Sequence, residues 1–471
     1  MKLSHLIAEC SIISSKLFLN PAPEYDPEIV SITSNSRQVR PGSLFIAIKG
    51  LKADGHDYIE QALENGAVAA IAQYNPKNFD HVLLTDNSRL AMSALAACFY
   101  GYPSEKLTLV GITGTNGKTT TTWLLESIFK AAGFNTGVIG TINIRYNDKE
   151  LDNSVTTPDS IDLQKILHEM QEANVTHVIM EVSSHGLDQN RVDFCEFDAG
   201  IFTNLTQDHL DYHADLSEYF ECKKRFFTEV LKNKKGKKIP AILNIDDEKG
   251  VLLFNSLKAD LHSISVSTHQ KADLISKNIT DDIQGLSGDI CLNSQSFNFT
   301  SSLTGKFNLE NILCACGAAY ALGIAPDMIK KGIEDCQIIP GRLEKIANSF
   351  DRFMFTDYAH TPDALESILS TLRSRAPKRL ITVFGCGGDR DSSKRAIMGK
   401  IALEYSDIAI VTSDNPRTEN PEAIIADILK GMTHAQRLSQ DDILIHPLKK
   451  GFLVESDRRK AIQKAVSISK P

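Results

Sequence analysis

The stretch Thr113-Gly114-Thr115-Asn116-Gly117-Lys118-Thr119-Thr120 carries the residue types that hold a phosphate. Its two glycines let the backbone turn N–H groups inward, Lys118 adds a full positive charge, and the Thr119 hydroxyl can ligate Mg²⁺. The general phosphate-loop pattern has one more glycine, five residues before Gly117, where this chain has Ile112. A Gly-Thr turn beside a surface lysine is the plainer alternative. Glu181 follows the apolar run His177-Val178-Ile179-Met180. A carboxylate at a strand tip beside a phosphate loop can organise Mg²⁺, or can simply end a strand. Asp208, His209, Asp211 and His213 crowd one short segment, which suits a metal site or a polar loop. Lys223 is the sharpest physical signal. Tyr219, Phe220, Phe226 and Phe227 recur at helical spacing. At about 100° per residue, Lys223 falls in the middle of their stripe, while Lys224 and Arg225 point away. A lysine centred on a buried face is costly as a bare cation. Such a lysine ordinarily bends its ammonium out to water, so the helix alone leaves its purpose open.

These groups need elements to position them. Leu107-Thr108-Leu109-Val110-Gly111-Ile112 is short, apolar and β-branched, and reads as a buried strand feeding the glycine loop. A helix then begins, with Trp123, Leu124, Ile128 and Phe129 at helical spacing, and stops at Gly133. Strands are expected at 138–141, 177–180, 199–202 and 239–244, and β-hairpins over about 262–300. Gly305 opens a helix that carries Asn308 and Asn311 one turn apart, where capping is one use for either. Residues 30–33 and 44–48 read as strands and 90–99 as a helix, forming a small α/β unit. After Ile339-Pro340-Gly341-Arg342 the chain alternates strand and helix, with strands at 353–356, 381–384 and 408–412. In one parallel sheet the loops after these strands leave the same edge, where ligands bind. The expectation is an α/β protein of three domains, 1–102, 103–339 and 340–471, the last one Rossmann-like.

Bulk properties narrow the function. A formal net charge of -8 argues against a general nucleic-acid surface. No apolar run is long enough to span a bilayer, and Met1-Lys2-Leu3-Ser4-His5 begins no signal peptide. Nine cysteines without a Cys-x-x-Cys pair suit a reduced, cytoplasmic protein without a zinc framework. A monomer is expected. The charged run Lys232 to Lys238 reads as a solvated loop. Gly385-Cys386-Gly387-Gly388 lacks the third-glycine spacing of a dinucleotide fingerprint, which ranks NAD binding low.

Gly114-Thr115-Asn116-Gly117-Lys118-Thr119 resembles the phosphate loop of the Mur ligases and folylpolyglutamate synthases. Further segments resemble the Mur ligases in order along nearly the whole chain. They are Ser34-Asn35-Ser36-Arg37, where Asn35 replaces the usual Asp, and Lys49 to Gly55; then Thr156-Thr157-Pro158, and Glu181 to Arg191; then Tyr219-Phe220 with Lys223, where Cys222 replaces the usual Ala; and Asp357 to Asp363. The resemblance implies that Gly114, Thr115, Asn116, Gly117, Lys118, Thr119, Thr120, Asn308, Asn311, Arg342 and Asp357 hold ATP. It implies that Ser34, Ser36, Thr156, Thr157, Ser183, Gln189 and Arg191 line a UDP-muramyl substrate. It makes Thr119, Glu181, His209 and Lys223 holders of Mg²⁺, with Lys223 converted by CO₂ into a carbamate. An imidazole is an unusual partner for Mg²⁺, so His209 rests on the resemblance. Lys118, Lys223, Glu181 and His209 become the catalytic set.

Asp414-Asn415-Pro416-Arg417 is similar to the branch of the family that adds meso-diaminopimelate to UDP-N-acetylmuramoyl-L-alanyl-D-glutamate. There Arg390 and Arg417 would each offer a planar fork to the far carboxylate, Asp414 and Asn415 would take its ammonium, and Pro416 would stiffen the turn. Relatives continue past the final helix into another strand and a Gly-Lys-Gly-His-Glu loop that binds the amino acid. This chain ends at Pro471 without them, so its last domain is expected to be curtailed and its amino-acid affinity poor. Three rivals stand beside this reading: a lysine-adding ligase of the same family, a folylpolyglutamate synthase, and a nucleotide switch without catalysis. The folate enzyme leaves the uridine-type N-terminal loops unexplained. The switch has no use for Lys223, His209 or a second substrate loop.

Overall fold

The computed structural model describes residues 1–13, 17–19, 25–50, 53–209, 212–233, 238–257, 261–292, 295–375, 378–446 and 449–470. Leu51, Lys52 and Asp211, and most of the run 232–238, lie outside these. Among the described residues the strands form three α/β sheets and one short ribbon.

The first sheet is parallel and built from β1 (Ser31–Thr33), β2 (Ser43–Ile46), β3 (Ala67–Ala72) and β4 (Val82–Leu84). Helices α1 (Leu3–Ile13), α2 (Ile59–Glu64) and α3 (Ser88–Phe99) cover it. Asn87 caps α3 by accepting from the N–H groups of Arg89 and Leu90.

The second sheet has the order β15-β14-β13-β12-β11-β10-β5-β9-β6-β7-β8. Its middle is parallel: β5 (Thr108–Thr113), β6 (Thr136–Ile139), β9 (His177–Glu181), β10 (Ala199–Phe202), β11 (Pro240–Asn244) and β12 (His262–Ser267). β7 (Ile144–Tyr146) and β8 (Lys149–Leu151) continue one side antiparallel; β13 (Leu274–Asp282), β14 (Gly285–Leu292) and β15 (Gln295–Ser301) form a meander on the other. Two apolar cores explain why β5 and β9 read as continuous apolar runs. One face meets α4 (Lys118–Ala131), α9 (Lys306–Ala321) and α10 (Pro326–Asp335). The other meets α5 (Ser160–Glu172), α7 (Leu216–Thr228) and α8 (Glu248–Leu257). A short helix, α6 (Ser184–Asp188), follows β9.

The last part begins with a ribbon of β16 (Glu344–Lys345) and β17 (Phe355–Thr356), then α11 (Pro362–Arg375). A parallel sheet follows, from β18 (Ile381–Phe384), β19 (Ile408–Val411) and β20 (Gly451–Val454). Its helices are α12 (Lys394–Tyr405), α13 (Pro421–Leu429), α14 (Gln440–Ile445) and α15 (Arg458–Ile468).

The α/β class holds, and two expectations need correction. The strand at 353–356 does not join β18 and β19; its residues 355 and 356 pair antiparallel with β16, and Phe353 is 54% exposed where a strand inside the sheet would be covered. Residues 262–267 form no hairpin but lie parallel to β11. Arg225, off the apolar stripe of α7, pairs with Asp193 and donates to the Leu187 carbonyl at 2.9 Å.

Candidate active site

Register brings the chemistry to one edge. Ile112 is level with Glu181 on β9 and with Ile201 on β10, so the loop after β5, Glu181 and Thr203 share the C-terminal edge of three adjoining strands. The loop closes on Gly117, whose left-handed φ of 86° hands the chain to α4. A Cβ on Gly117 would lie 2.2 Å from Asn311 Oδ1, so Asn311 seats against the loop's last turn. Asn308 turns its amide to the Thr304 carbonyl at 2.8 Å and accepts from Asn311. Neither asparagine caps α9, whose N-cap position is Gly305 and which has no side-chain cap. Thr115 Oγ1 lies 3.2 Å from Tyr219 Oη and accepts from the Thr206 N–H at 3.0 Å. Asn116 is held through its backbone by Asn204 Oδ1 and Thr203 Oγ1. Thr120 is buried in the first turn of α4.

Two lysines converge on one oxygen. Lys118 Nζ and Lys223 Nζ each donate to the Gly114 carbonyl at 2.9 Å, and Lys118 also reaches the Thr115 carbonyl at 2.8 Å. Lys223 is 1% exposed and its ammonium sits 4.5 Å from the centre of the Tyr219 ring. It does not reach water, and among the described residues no carboxylate forms an ion pair with it. Burial, then the charge of Lys118, holds its pKa well below the usual lysine value. Burial also lowers Lys118, against the pull of Glu181 and Asp208.

Glu181 is buried; Oε1 accepts from the Thr141 N–H at 3.1 Å and Oε2 from its hydroxyl at 2.8 Å. Thr141 in turn contacts the Thr156 hydroxyl at 3.0 Å. His209 has a left-handed φ of 56° and stands 3.5 Å from Asp208. Burial, with the charges of His185, Lys118 and Lys223, pushes its pKa down to about 4 against the pull of Asp208. Its imidazole is therefore neutral at pH 7, with a lone pair to share. Asp208 also faces His360 at 3.7 Å, and despite burial these partners keep its carboxyl below the usual range. Arg342 donates to Thr119 Oγ1 at 3.0 Å and stacks under Tyr358. Asp357 accepts from the Leu343 and Ala359 N–H groups, which orders the loop around Arg342.

A second cluster adjoins Glu181. Thr157 donates to the Glu181 carbonyl and contacts Ser183, which caps α6. Arg191 bonds to the Thr157 carbonyl and to Gln189 Oε1 at 2.8 Å. Arg89, on α3, reaches Gln189 at 3.4 Å and the Lys49 carbonyl at 3.2 Å, tying the first sheet's loops to this cluster. Ser36 opens a short 3-10 turn capped by Asn35, and Ser34 is half-buried beside it.

The loops after β18 and β19 zip together at the edge of the third sheet. Gly388 donates to the Asn415 carbonyl, Asp389 takes the Thr418 hydroxyl, and Arg417 hooks its guanidinium onto the Gly388 carbonyl. A Cβ on Gly388 would lie 2.0 Å from the Pro416 oxygen. Arg390 is exposed at the same edge. Asp414 pairs with Arg458 at 3.0 Å.

Sequence reasoning passed over Thr141, Arg89, Asp363 and Arg458. Each matters through a partner far along the chain, so no local spacing marks it. Among the described residues no three His, Cys, Asp or Glu side chains gather into a metal cage.

A phosphate loop on a parallel sheet, beside a buried lysine, a half-buried one and a strand-end acid, defines a nucleotide-using α/β protein. The chain belongs to the Mur ligase family. The model of the Mur ligase family catalytic domain matches residues 28–97, that of the Mur ligase middle domain 112–319, and that of the Mur ligase glutamate ligase domain 341–471. A Geobacter metallireducens protein named UDP-N-acetylmuramoyl-L-alanyl-D-glutamate–2,6-diaminopimelate ligase is 45% identical, over 94% of this chain and 88% of its own. A Clostridioides difficile protein of the same name is 40% identical over 100% of this chain and 92% of its own. A solved structure of a ligase so named matches with a TM-score of 0.70 at 28% identity, covering 98% of each chain.

Proposed function

We propose that this chain joins the γ-carboxylate of UDP-N-acetylmuramoyl-L-alanyl-D-glutamate to an amine of meso-diaminopimelate, using ATP, as a cytoplasmic step of peptidoglycan precursor synthesis. The observation that carries this is the pair of lysines on the Gly114 carbonyl, Lys223 buried and Lys118 half-buried, beside Glu181 and a second substrate cluster.

A carboxylate does not condense with an amine in water without activation. One γ-carboxylate oxygen attacks the terminal phosphorus of ATP, the bond to ADP breaks, and an acyl phosphate forms. The diaminopimelate amine then attacks the acyl carbon, loses a proton, and phosphate leaves with both electrons of its C–O bond. Bringing a carboxylate to a triphosphate sets two anions together. Lys118 and the loop N–H groups neutralise part of that charge. Arg191, Gln189, Ser183, Thr156 and Thr157 hold the muramyl substrate over the edge, with Ser34 and Ser36 toward its uridine end. Asn308, Asn311, Arg342 and Asp357 hold the nucleotide.

Mg²⁺ fits this site. The metal uses few protein ligands and takes the rest from phosphate and water, and Thr119, Glu181 and neutral His209 can serve it without a cage. When bound it supplies positive charge and phosphate orientation. Lys223 suits the same purpose after modification: burial and the charge of Lys118 favour the neutral amine, whose lone pair would attack CO₂ with release of a proton. The product is an anionic oxygen ligand in place of a trapped cation.

The zipped loops around Arg417, with Arg390 and the pair Asp414 and Asn415, favour an amino acid whose far end carries a carboxylate as well as an ammonium. That supports diaminopimelate over lysine. Isotope transfer tests the acyl phosphate. With ¹⁸O in the γ-carboxylate, one labelled oxygen is expected in the released phosphate; unlabelled phosphate would contradict the scheme.

A further inference from the structure

The C-terminal part touches the phosphate loop through α11. Asp363, in the first turn of that helix, accepts from Asn116 Nδ2 at 3.1 Å and from the Thr206 hydroxyl. Asn116 Nδ2 also donates to Thr206 Oγ1 at 3.2 Å, so amide, hydroxyl and carboxylate close a ring. The helix N-terminus favours the carboxylate there. Thr206 is itself bound to Thr115 through both its N–H and its carbonyl. The far end of α11 is tied as well. Arg375 pairs with Asp281, which accepts from Thr304 and the Gly305 N–H at the entrance to α9. That helix carries Asn311, seated against Gly117. One helix therefore bridges the loop at one end and the helix backing it at the other.

We propose that Asp363 is a positioning residue for the nucleotide: by holding Asn116 and Thr206 it fixes the phosphate loop in its anion-accepting shape, and makes tight ATP binding depend on α11 docked against the central sheet. This rests on the phosphate-loop reading above. The test is equilibrium binding of a non-hydrolysable ATP analogue to the full chain carrying Asn116→Ala, Asp363→Ala, or both, beside Asp363→Asn and Lys118→Ala. Each alanine variant weakens binding about three- to tenfold, and the double variant weakens it no more than the worse single one. Asp363→Asn keeps an acceptor oxygen and recovers most of the affinity. Losses that multiply in the double variant overturn the proposal. So does binding that is unchanged or tighter in Asp363→Ala, as a carboxylate that merely repels phosphate would give. If Asp363→Ala unfolds, Asp363→Asn decides alone: an affinity as poor as that of Asn116→Ala overturns it. Lys118→Ala separates the two readings. Wild-type affinity in that variant sinks the phosphate loop itself, whereas lost affinity there with a multiplicative cycle sinks only the role of Asp363.

Discussion

At the scale of residues, the central fact is two lysine Nζ atoms aimed at one carbonyl oxygen. Lys223 has no route to water, and Lys118 adds to the cost of charging it. A carbamate would turn that repulsion into attraction and give Mg²⁺ an oxygen. Lys223→Ala is therefore expected to lower kcat by about 100-fold or more, with partial recovery in small carboxylic acids that fill the vacated space. Full activity without rescue would contradict this. Glu310 makes a separate residue-scale prediction. It accepts from Asn244, and burial raises its pKa from 4.5 to about 7. Between those values the unfolded chain has lost the proton that the folded chain keeps. Its contribution to stability is full below about pH 4.5, falls as pH rises to about 7, and is gone above it. Glu310→Gln cannot titrate. Denaturant unfolding across that range should show the wild type losing stability relative to the variant, and parallel curves would refute the assignment.

At the scale of elements, the phosphate loop depends on the lack of a side chain at Gly114. Its φ is 145°, and a Cβ there would lie 2.0 Å from Thr203 Oγ1, the group that holds the Asn116 carbonyl. Gly114→Ala should abolish ATP binding and cost about 1–3 kcal/mol of stability. Gly133, with φ of 85°, ends α4 with nothing within 4 Å. Gly133→Ala should cost about 1 kcal/mol through backbone strain alone and leave ATP binding intact. Calorimetric titration and denaturation of both variants would check this; equal ATP affinities would count against it. The same loop shows what sequence can carry. β5, β9 and β10 are short apolar runs that end at or just before a polar residue, and the structure ends them within a residue of the expected positions. The stripe on α7 carries Lys223 at its centre as the spacing predicts, but the side chain stays buried instead of bending out to water. Pairing partners were not legible, because period-two patterning says which face is buried and not which strand lies alongside. That is why 353–356 was expected in the wrong sheet and 262–267 in the wrong pairing. Contacts such as Asn116 to Asp363, 247 residues apart, leave no local trace at all.

At the scale of the whole molecule, both outer parts lean on one edge of the central sheet. Arg89 brings the first sheet to Gln189, and Arg342, His360 and Asp363 bring the last part to Thr119, Asp208 and Asn116. This suits a reaction that gathers substrates from three bodies, and it explains why family resemblance ran the length of the chain. The claim most exposed to test is that ATP cleavage is harnessed to joining diaminopimelate to the muramyl dipeptide. Phosphate release should be measured on the purified chain with Mg²⁺ and ATP, omitting each other substrate in turn and exchanging diaminopimelate for lysine. The account predicts sustained release only when UDP-N-acetylmuramoyl-L-alanyl-D-glutamate and diaminopimelate are both present, with lysine at least about tenfold poorer, the discrimination expected when a charged group is left unpaired. Turnover without the muramyl substrate, or lysine used as well as diaminopimelate, would contradict it.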